Sequence, residues 1–259
     1  MKWEELTSDD LAELAEKGDI VVILPIGSLE RHGPHLPVGT DGLTIYQVAL
    51  KAAEQEPCIV LPPLFYAYVP SMRQFPGAIC IEENTLLSLL ENICAEVSRN
   101  GFKKILIVNG HGGNINLLRL FAAGRLTKRT DYSLYVLAEP WAFEREVVQK
   151  IKETAEVGHA GEIETSYMLY LYPQLCKMDR VERPAKTRPK PLGDLPTVTP
   201  VDWVVHCPEG YVGDPRKASA EKGRLLIEAM VNGIVKTVRM IKKDKSVAES
   251  VKFLGLDRL

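Results

Sequence analysis

The run Ile20-Val21-Val22-Ile23-Leu24 contains no polar residue and has the length of a β-strand. Continuous apolar runs of this length are typical of strands that are buried on both faces, as in parallel sheets. Three more runs have the same character, at residues 58–61, 105–108 and 133–137. Together the four runs predict a mostly parallel central sheet.

Segments with helical spacing separate these runs along the chain. Strands that alternate with helices predict a layered α/β fold around one sheet. The helix after the second strand has Asn84 as its expected N-cap and Gly101 just beyond its end. Helices are predicted over residues 85–98, 115–127, 162–171 and about 218–241.

No clear second domain is visible, and we expect residues 1–259 to form a single domain. Residues 182–202 differ from the rest of the chain because they are polar and contain five prolines. This composition predicts a long loop or arm.

Composition excludes several classes of protein. The chain has 32 lysines and arginines against 34 acidic residues, a net charge of −2 that argues against nucleic-acid binding and against attraction to an anionic membrane. The apolar fraction of 46% is sufficient for a globular core. No run of about 18 apolar residues predicts a membrane span, and the N-terminus lacks the apolar region of a signal peptide. The five scattered cysteines are expected to be reduced thiols of a cytoplasmic protein.

The first polar cluster, residues 27–41, directly follows the first predicted strand. Ligands of open α/β sheets bind beyond the carboxyl ends of the strands. Glu30 and His32 are two residues apart, which places both side chains on one side of an extended chain. With Asp41, they form a set of oxygen and nitrogen ligands that suits a divalent metal.

Two more clusters lie farther along the chain. Residues 109–114, Asn-Gly-His-Gly-Gly-Asn, follow the third predicted strand and place His111 next to glycines that let the backbone approach a ligand. Residues 158–166 contain His159, Glu162 and Glu164 and open a predicted helix. Either glutamate has an ordinary role at a helix N-terminus, but one of them can also bind a metal or act as a base, with His159 as proton carrier.

Four of the five histidines fall in these three clusters, which jointly favours a metal-dependent hydrolase. Two alternatives remain open. A sugar-phosphate or nucleotide could bind the loop from Gly110 to Asn114, although neither a P-loop lysine nor a G-x-G-x-x-G spacing is present. The chain could also be a non-catalytic oligomeric scaffold with structural histidines.

These clusters resemble the motifs of the creatininase (creatinine amidohydrolase) family, over roughly residues 20–225. The resemblance implies a three-layer α/β/α sandwich, two divalent metal ions per subunit and frequently a homohexamer. It also implies hydrolysis of a non-peptide C–N bond of a small amide, such as a cyclic amide or a formamide. The matching motifs occupy residues 27–41, 75–77, 108–114, 159–166 and 210–215.

The family resemblance also implies roles for individual residues. Glu30 and His111 would hold one metal, His32 would hold the other, and Asp41 would bridge the two. Zinc is the first choice for both ions, with manganese or iron as alternatives. His159 would protonate the leaving nitrogen as a catalytic residue. The substrate is expected to contact His35, Gly112, Gly113 and Trp141.

The sequence departs from creatininase itself at two places. A glutamate that binds the second metal in creatininase is replaced here by Gly113. We expect Glu162 to serve instead, as ligand or as the residue that holds the water, with Glu164 as the fallback. A Glu-His pair that is frequent in the wider family is replaced here by Ser71 and Met72. Creatinine is therefore not assumed to be the substrate.

Overall fold

The computed structural model describes residues 1–128, 130–193 and 195–253. Within these residues, four parallel strands form one sheet in the order β2-β1-β3-β4. The two central strands are in register from Val21 opposite Lys104 to Ile26 opposite Asn109, so they end at the same rim. The strands are β1 (Val21–Ile26), β2 (Ile59–Val60), β3 (Lys104–Asn109) and β4 (Ser133–Leu137).

Helices connect the strands and extend the chain beyond the sheet. The α-helices of the described residues are α1 (Ser8–Glu16), α2 (Thr40–Gln55), α3 (Glu83–Arg99), α4 (Ile115–Gly124), α5 (Arg145–Ile151), α6 (Glu162–Leu171), α7 (Asp202–His206), α8 (Ala220–Lys243) and α9 (Ser246–Phe253). None of them is long and apolar enough to cross a membrane.

Alternate strand residues pack against helices on opposite faces of the sheet. Val21 and Ile23 of β1 belong to a core that includes α2, α6 and α8. Val22 and Leu24 face the other side, where α3 and α4 contribute the core. This arrangement confirms the predicted three-layer α/β/α fold, because successive side chains of a strand point to opposite faces and both faces here are covered.

Element bounds agree with the sequence predictions to within a few residues, with one wrong cap. Asn84 does not cap α3; the N-cap is Glu82, and Asn84 lies inside the first turn. The first strand continues past its predicted end through Pro25, whose carbonyl still accepts a hydrogen bond from the Leu64 amide at 2.9 Å. The predicted arm contains neither helix nor strand in its described residues before α7 begins at Asp202.

Candidate metal centre and active-site cavity

The loop after β1 carries the first acidic and imidazole groups to the rim of the sheet. Asp41 lies in the first turn of α2, where the helix dipole favours a negative charge. The buried Ser28 hydroxyl donates a hydrogen bond to Asp41 Oδ2 at 2.7 Å. Gly27 permits this packing, because a Cβ there would lie 2.2 Å from the Gly42 nitrogen. Ser28 therefore positions a carboxylate.

Two buried asparagines hold His111 at the end of β3. Asn109 Oδ1 accepts a hydrogen bond from the His111 amide at 3.1 Å, and its Nδ2 donates to the His111 carbonyl at 2.7 Å. Asn114 Nδ2 donates to Asn109 Oδ1 at 3.2 Å and to the Gly27 carbonyl at 3.1 Å. The loops after the two central strands are thus tied together, which brings His111 to the residues that follow β1.

Six side chains converge at this rim: Glu30, His32, Asp41, His111, His159 and Glu164. Their candidate ligand atoms form three triads, and within each triad these atoms lie within 4.8 Å of one another. The triads are Glu30–Asp41–His111, His32–Asp41–Glu164 and Glu30–His32–His159. The cluster joins the loop after β1, the turn after β3 and the start of α6, as predicted for residues far apart in sequence.

Asp41 belongs to two of the triads and offers a different oxygen to each. Its Oδ2 lies 3.0 Å from His111 Nδ1, while Glu30 Oε1 lies 3.1 Å from the same nitrogen. Its Oδ1 lies 2.9 Å from His32 Nε2, and Glu164 Oε2 lies 3.6 Å from that nitrogen. One carboxylate therefore connects two neighbouring ligand sets.

The charges of the cluster act strongly on one another. Burial would lower the pKa of His32, but Asp41, with Glu164 and Glu30, outweighs it and raises the pKa to about 10. Glu30 and Asp41 likewise overcome burial and raise the pKa of His111 well above its usual value. In the same way His32 and His111 lower the pKa of Asp41 despite its burial. The carboxylates therefore strongly stabilise positive charge within the cluster.

The donor set fits divalent metal ions. His32 Nδ1 lies 3.2 Å from the Glu30 carbonyl, which can only accept a hydrogen bond. The hydrogen therefore sits on Nδ1, and Nε2 is left to face the carboxylates. A backbone carbonyl that orients the second ring nitrogen is the usual arrangement of a metal-binding histidine. Carboxylate oxygens and imidazole nitrogens together suit zinc, manganese or iron.

The structure corrects the placement of Glu162. Its fully buried carboxylate accepts hydrogen bonds from the Thr154 amide at 2.9 Å and from Lys222 Nζ at 2.6 Å, on the other side of α6. Residues two positions apart on a helix project about 200° apart, so Glu162 and Glu164 cannot both face the cluster. Glu164, the fallback in the sequence analysis, is the one that faces it.

The structure also places His35 away from the expected substrate site. His35 is buried, and its Nε2 hydrogen bonds with the Thr165 hydroxyl at 2.8 Å. Burial, together with the charges of His32 and Arg31, lowers the pKa of His35 to about 4. His35 does not line the cavity described below, and the prediction that it contacts substrate is corrected accordingly.

A cavity of about 610 Å³ opens onto the cluster. Gly112, Gly113 and Trp141, all expected to contact substrate, line its wall. Trp203 of α7 also lines the cavity, with its ring 6.1 Å from the His159 ring in an edge-to-face arrangement. The polar arm therefore leads into a short helix that places an aromatic side chain at the cavity. A site of this size suits a small organic molecule.

Sequence reasoning left several functional side chains without a role. Asn109 and Asn114 are the first and last residues of the motif at 109–114. Their closeness to His111 in the sequence could have indicated that they position it. Glu144 and Tyr167 also line the cavity, but they lie in a short turn and in the middle of a helix, where no motif marks them.

Comparison with known proteins agrees with this geometry. The family model described as "Creatininase: Creatinine amidohydrolase" matches residues 4–238. Creatinine amidohydrolase of Pseudomonas putida is 32% identical over 91% of this chain and 95% of its own length. The 3-dehydro-scyllo-inosose hydrolase of Thermotoga maritima is 28% identical over 92% of this chain and 83% of its own length.

A solved structure of a creatininase variant, described as of Zn-Zn type, has the same architecture. It superposes with a TM-score of 0.77 at 30% identity, over 92% of this chain and 97% of the solved one. The family model spans most of the chain, and the solved creatininase structure shares its architecture. The chain belongs to the creatininase family.

Proposed function

We propose that the protein is a metal-dependent amidohydrolase that cleaves a non-peptide C–N bond of a small amide, such as a cyclic amide or a formamide. The observation that carries the proposal is the position of Asp41, which belongs to two adjacent ligand triads. This is the arrangement that a pair of divalent cations requires. Membership of the creatininase family supports the same activity.

The two triads support a separate set of ligands for each ion. Glu30, Asp41 and His111 would hold one cation, and His32, Asp41 and Glu164 would hold the other. Zinc is the first choice, and manganese or iron would suit the same ligands. When bound, the two ions would polarise the amide carbonyl and lower the pKa of a water molecule toward neutrality.

We assign His159 the movement of a proton, and its hydrogen bond and position support this role. Its Nε2 lies 2.7 Å from the Arg31 carbonyl, which can only accept a hydrogen bond, so the hydrogen sits on Nε2. Nδ1 then faces the cluster, 3.7 Å from Glu30 Oε1 and 3.8 Å from Glu164 Oε2. From this position Nδ1 can take up a proton and deliver it to the leaving nitrogen.

The cavity wall supports a small organic substrate more than a phosphate. Gly112 and Gly113 leave space beside His111, and Trp141 provides a flat apolar surface. None of the described lining residues is a lysine or an arginine. A nucleotide or a sugar phosphate would therefore find no lysine or arginine among these lining residues to bind its phosphate, which disfavours the first alternative.

Metal analysis and a substrate screen test the proposal together. The purified protein is expected to contain about two equivalents of divalent metal per chain. It should hydrolyse at least one member of a panel of cyclic amides and formamides, and a chelator should remove this activity. Tight binding of a sugar phosphate by a metal-free protein would instead support the first alternative, and neither metal nor ligand would support a scaffold.

Matched glutamine variants of the two glutamates of α6 separate their roles. Glu164→Gln should fold normally but contain about one equivalent of metal instead of two, because it removes a charged ligand from one triad. Glu162→Gln should destabilise the protein by about 1–3 kcal/mol, because a neutral amide cannot accept all the hydrogen bonds of the buried carboxylate, while Lys222 keeps its contact with Glu153. Metal content and the free energy of unfolding, measured for both variants, check this. If Glu162→Gln were folded and lost metal while Glu164→Gln kept it, Glu162 would be the ligand instead of Glu164.

The environment of the protein is part of the proposal. All five cysteines are free in the structure, which supports a reducing compartment such as the cytoplasm. We also expect a homo-oligomer, with the hexamer of the family as the first possibility; light scattering would measure its mass.

A further inference from the structure

A buried acidic side chain outside the triads lines the same cavity. Glu144 ends the 3₁₀ turn Pro140–Glu144 and is only 3% exposed. The Tyr167 hydroxyl of α6 donates a hydrogen bond to its Oε1. Its Oε2 is also buried but has no hydrogen-bond partner among the described residues. Buried polar atoms are nearly always hydrogen bonded, so this free oxygen requires an explanation.

The position of Glu144 is enforced from behind by α8. A Cβ at Gly233 would lie 2.2 Å from the ring of Phe143, so this glycine lets the 3₁₀ turn pack directly against the helix. Tyr167 meets Glu144 from α6. The acid is thus held between two helices at the cavity wall.

Glu162, a buried glutamate with a structural role, has hydrogen-bond donors for both of its carboxylate oxygens. Both oxygens of Glu162 accept hydrogen bonds, from two backbone amides, from the Thr154 hydroxyl and from Lys222. Glu144 has one protein donor for its two oxygens. The missing donor distinguishes Glu144 from a group whose only function is to hold the fold.

Among the described residues, none donates a hydrogen bond to Oε2 of Glu144. The cavity wall includes Ile45, Ile163 and Met230, and no lysine or arginine lines it among the described residues. Burial has the largest influence on the pKa of Glu144 and raises it, the Tyr167 hydrogen bond lowers it and the nearby Glu164 raises it, with a net value of about 8. A cationic nitrogen group beside Oε2 would favour the carboxylate form, which accepts the hydrogen bond. A molecule that entered the cavity with a hydrogen-bond donor could donate to Oε2 of Glu144, for which the described residues provide no donor.

We propose that Glu144 is a specificity-determining residue that accepts a hydrogen bond from a nitrogen group of the substrate. The substrate then carries an amine, amidine or guanidine group on the part that lies against Glu144, and neither a phosphate nor a carboxylate there. Tyr167 acts as a positioning residue, because its hydroxyl occupies Oε1 and leaves Oε2 for the ligand. The inference rests on the proposed function for the chemistry that follows binding, but not for the binding contact itself.

Small probe molecules test the contact directly. Methylguanidinium offers only donors, N,N-dimethylacetamide offers only an acceptor, and acetate is an anion. Calorimetry on the metal-loaded protein is expected to show saturable binding of methylguanidinium that weakens about tenfold in Glu144→Gln. Affinity for the other two probes should be unchanged. Glu146→Gln, the same chemical change at an exposed position two residues away, should leave all three affinities unchanged.

The outcomes that overturn the inference are distinct from those that overturn the proposed function. Equal affinity of methylguanidinium for wild type and Glu144→Gln, or no saturable binding to wild type, would refute it. So would an acceptor-only probe that depends on Glu144. The same titrations on chelator-treated protein show whether the contact exists without metal. Glu144-dependent binding by a protein that holds no metal and cleaves no amide would remove only the proposed function.

Two further measurements exclude a merely structural role. Tyr167→Phe, which keeps the ring and removes the hydroxyl, should weaken methylguanidinium binding less than Glu144→Gln does. Once the screen identifies an amide substrate, Glu144→Gln should raise KM about tenfold with kcat nearly unchanged, because binding is lost and the reacting groups are intact. A fall in kcat with constant KM would contradict the assignment. Circular dichroism confirms that each variant is folded.

Discussion

Replacement of His111 by alanine is expected to remove bound metal and activity together. His111 Nδ1 faces both Glu30 and Asp41, so its loss takes the only nitrogen from that triad and leaves two carboxylates in a buried site. We expect hydrolysis to fall by at least about 10³-fold, because carbonyl polarisation and water activation are lost with the ion. Metal content measured beside kcat/KM checks the expectation.

His206→Ala is a matched control for this experiment. His206 is the histidine outside the three sequence clusters, and its Nδ1 contacts the Arg188 carbonyl instead of an acidic group. This variant should retain the metal content of the wild type. If His111→Ala kept full activity in metal-free buffer, the proposed metal centre would be wrong.

Replacement of His159 by alanine is expected to leave metal in place and abolish turnover. The His159 ring is tied to a backbone carbonyl through Nε2, and Nδ1 stands farther from the carboxylates than the facing nitrogens of His32 and His111. These distances favour a proton carrier over a ligand. Loss of a positioned acid or base costs about 10²–10⁴-fold in rate. Metal analysis and kcat, both measured on the variant, check the prediction.

Chemical rescue distinguishes proton transfer from a structural role of His159. Imidazole added to His159→Ala should restore part of the activity if the missing function is a proton carrier. Loss of one metal equivalent in this variant would contradict the assignment and make His159 a ligand through the triad that it forms with Glu30 and His32.

Much of the fold follows from short-range patterns in the sequence. The strands are mostly apolar runs, although β4 is only half-buried, and the α8 periodicity is long enough to define a helix without tertiary information. The cap of α3 was missed because capping depends on where the backbone leaves the loop, and Asn84 carries a good capping side chain two residues too late. Strand β1 was predicted too short because it continues through a proline.

The candidate site was predictable where chain position alone decides it. Residues that follow two neighbouring parallel strands must meet at one rim, which brings His111 to Glu30 and Asp41. The choice between Glu162 and Glu164 was not decidable this way, because it depends on the rotation of α6 about its axis. That rotation is set by packing against α8, where Lys222 forms an ion pair with the carboxylate of Glu162.

The roles of His35 and Glu144 depend on which side of a packed layer a side chain reaches. His35 stands in the same motif as His32, yet it points to Thr165 behind the cavity wall. Glu144 stands in no motif and becomes informative only through its unpartnered oxygen. Both require coordinates, since neither composition nor spacing encodes the neighbours of a buried atom.

The proposed metal ligands and the residues of the cavity wall lie in different segments of the chain, and this separation bears on how such enzymes diverge. Most of the proposed metal ligands lie in two loops that the two asparagines link to each other, whereas Trp141, Glu144 and Trp203 belong to separate segments farther along the chain. Mutations in those segments can reshape recognition while the reactive core is inherited intact. One ancestral hydrolytic apparatus can thereby give rise to descendants with unrelated nutrients or metabolites as targets.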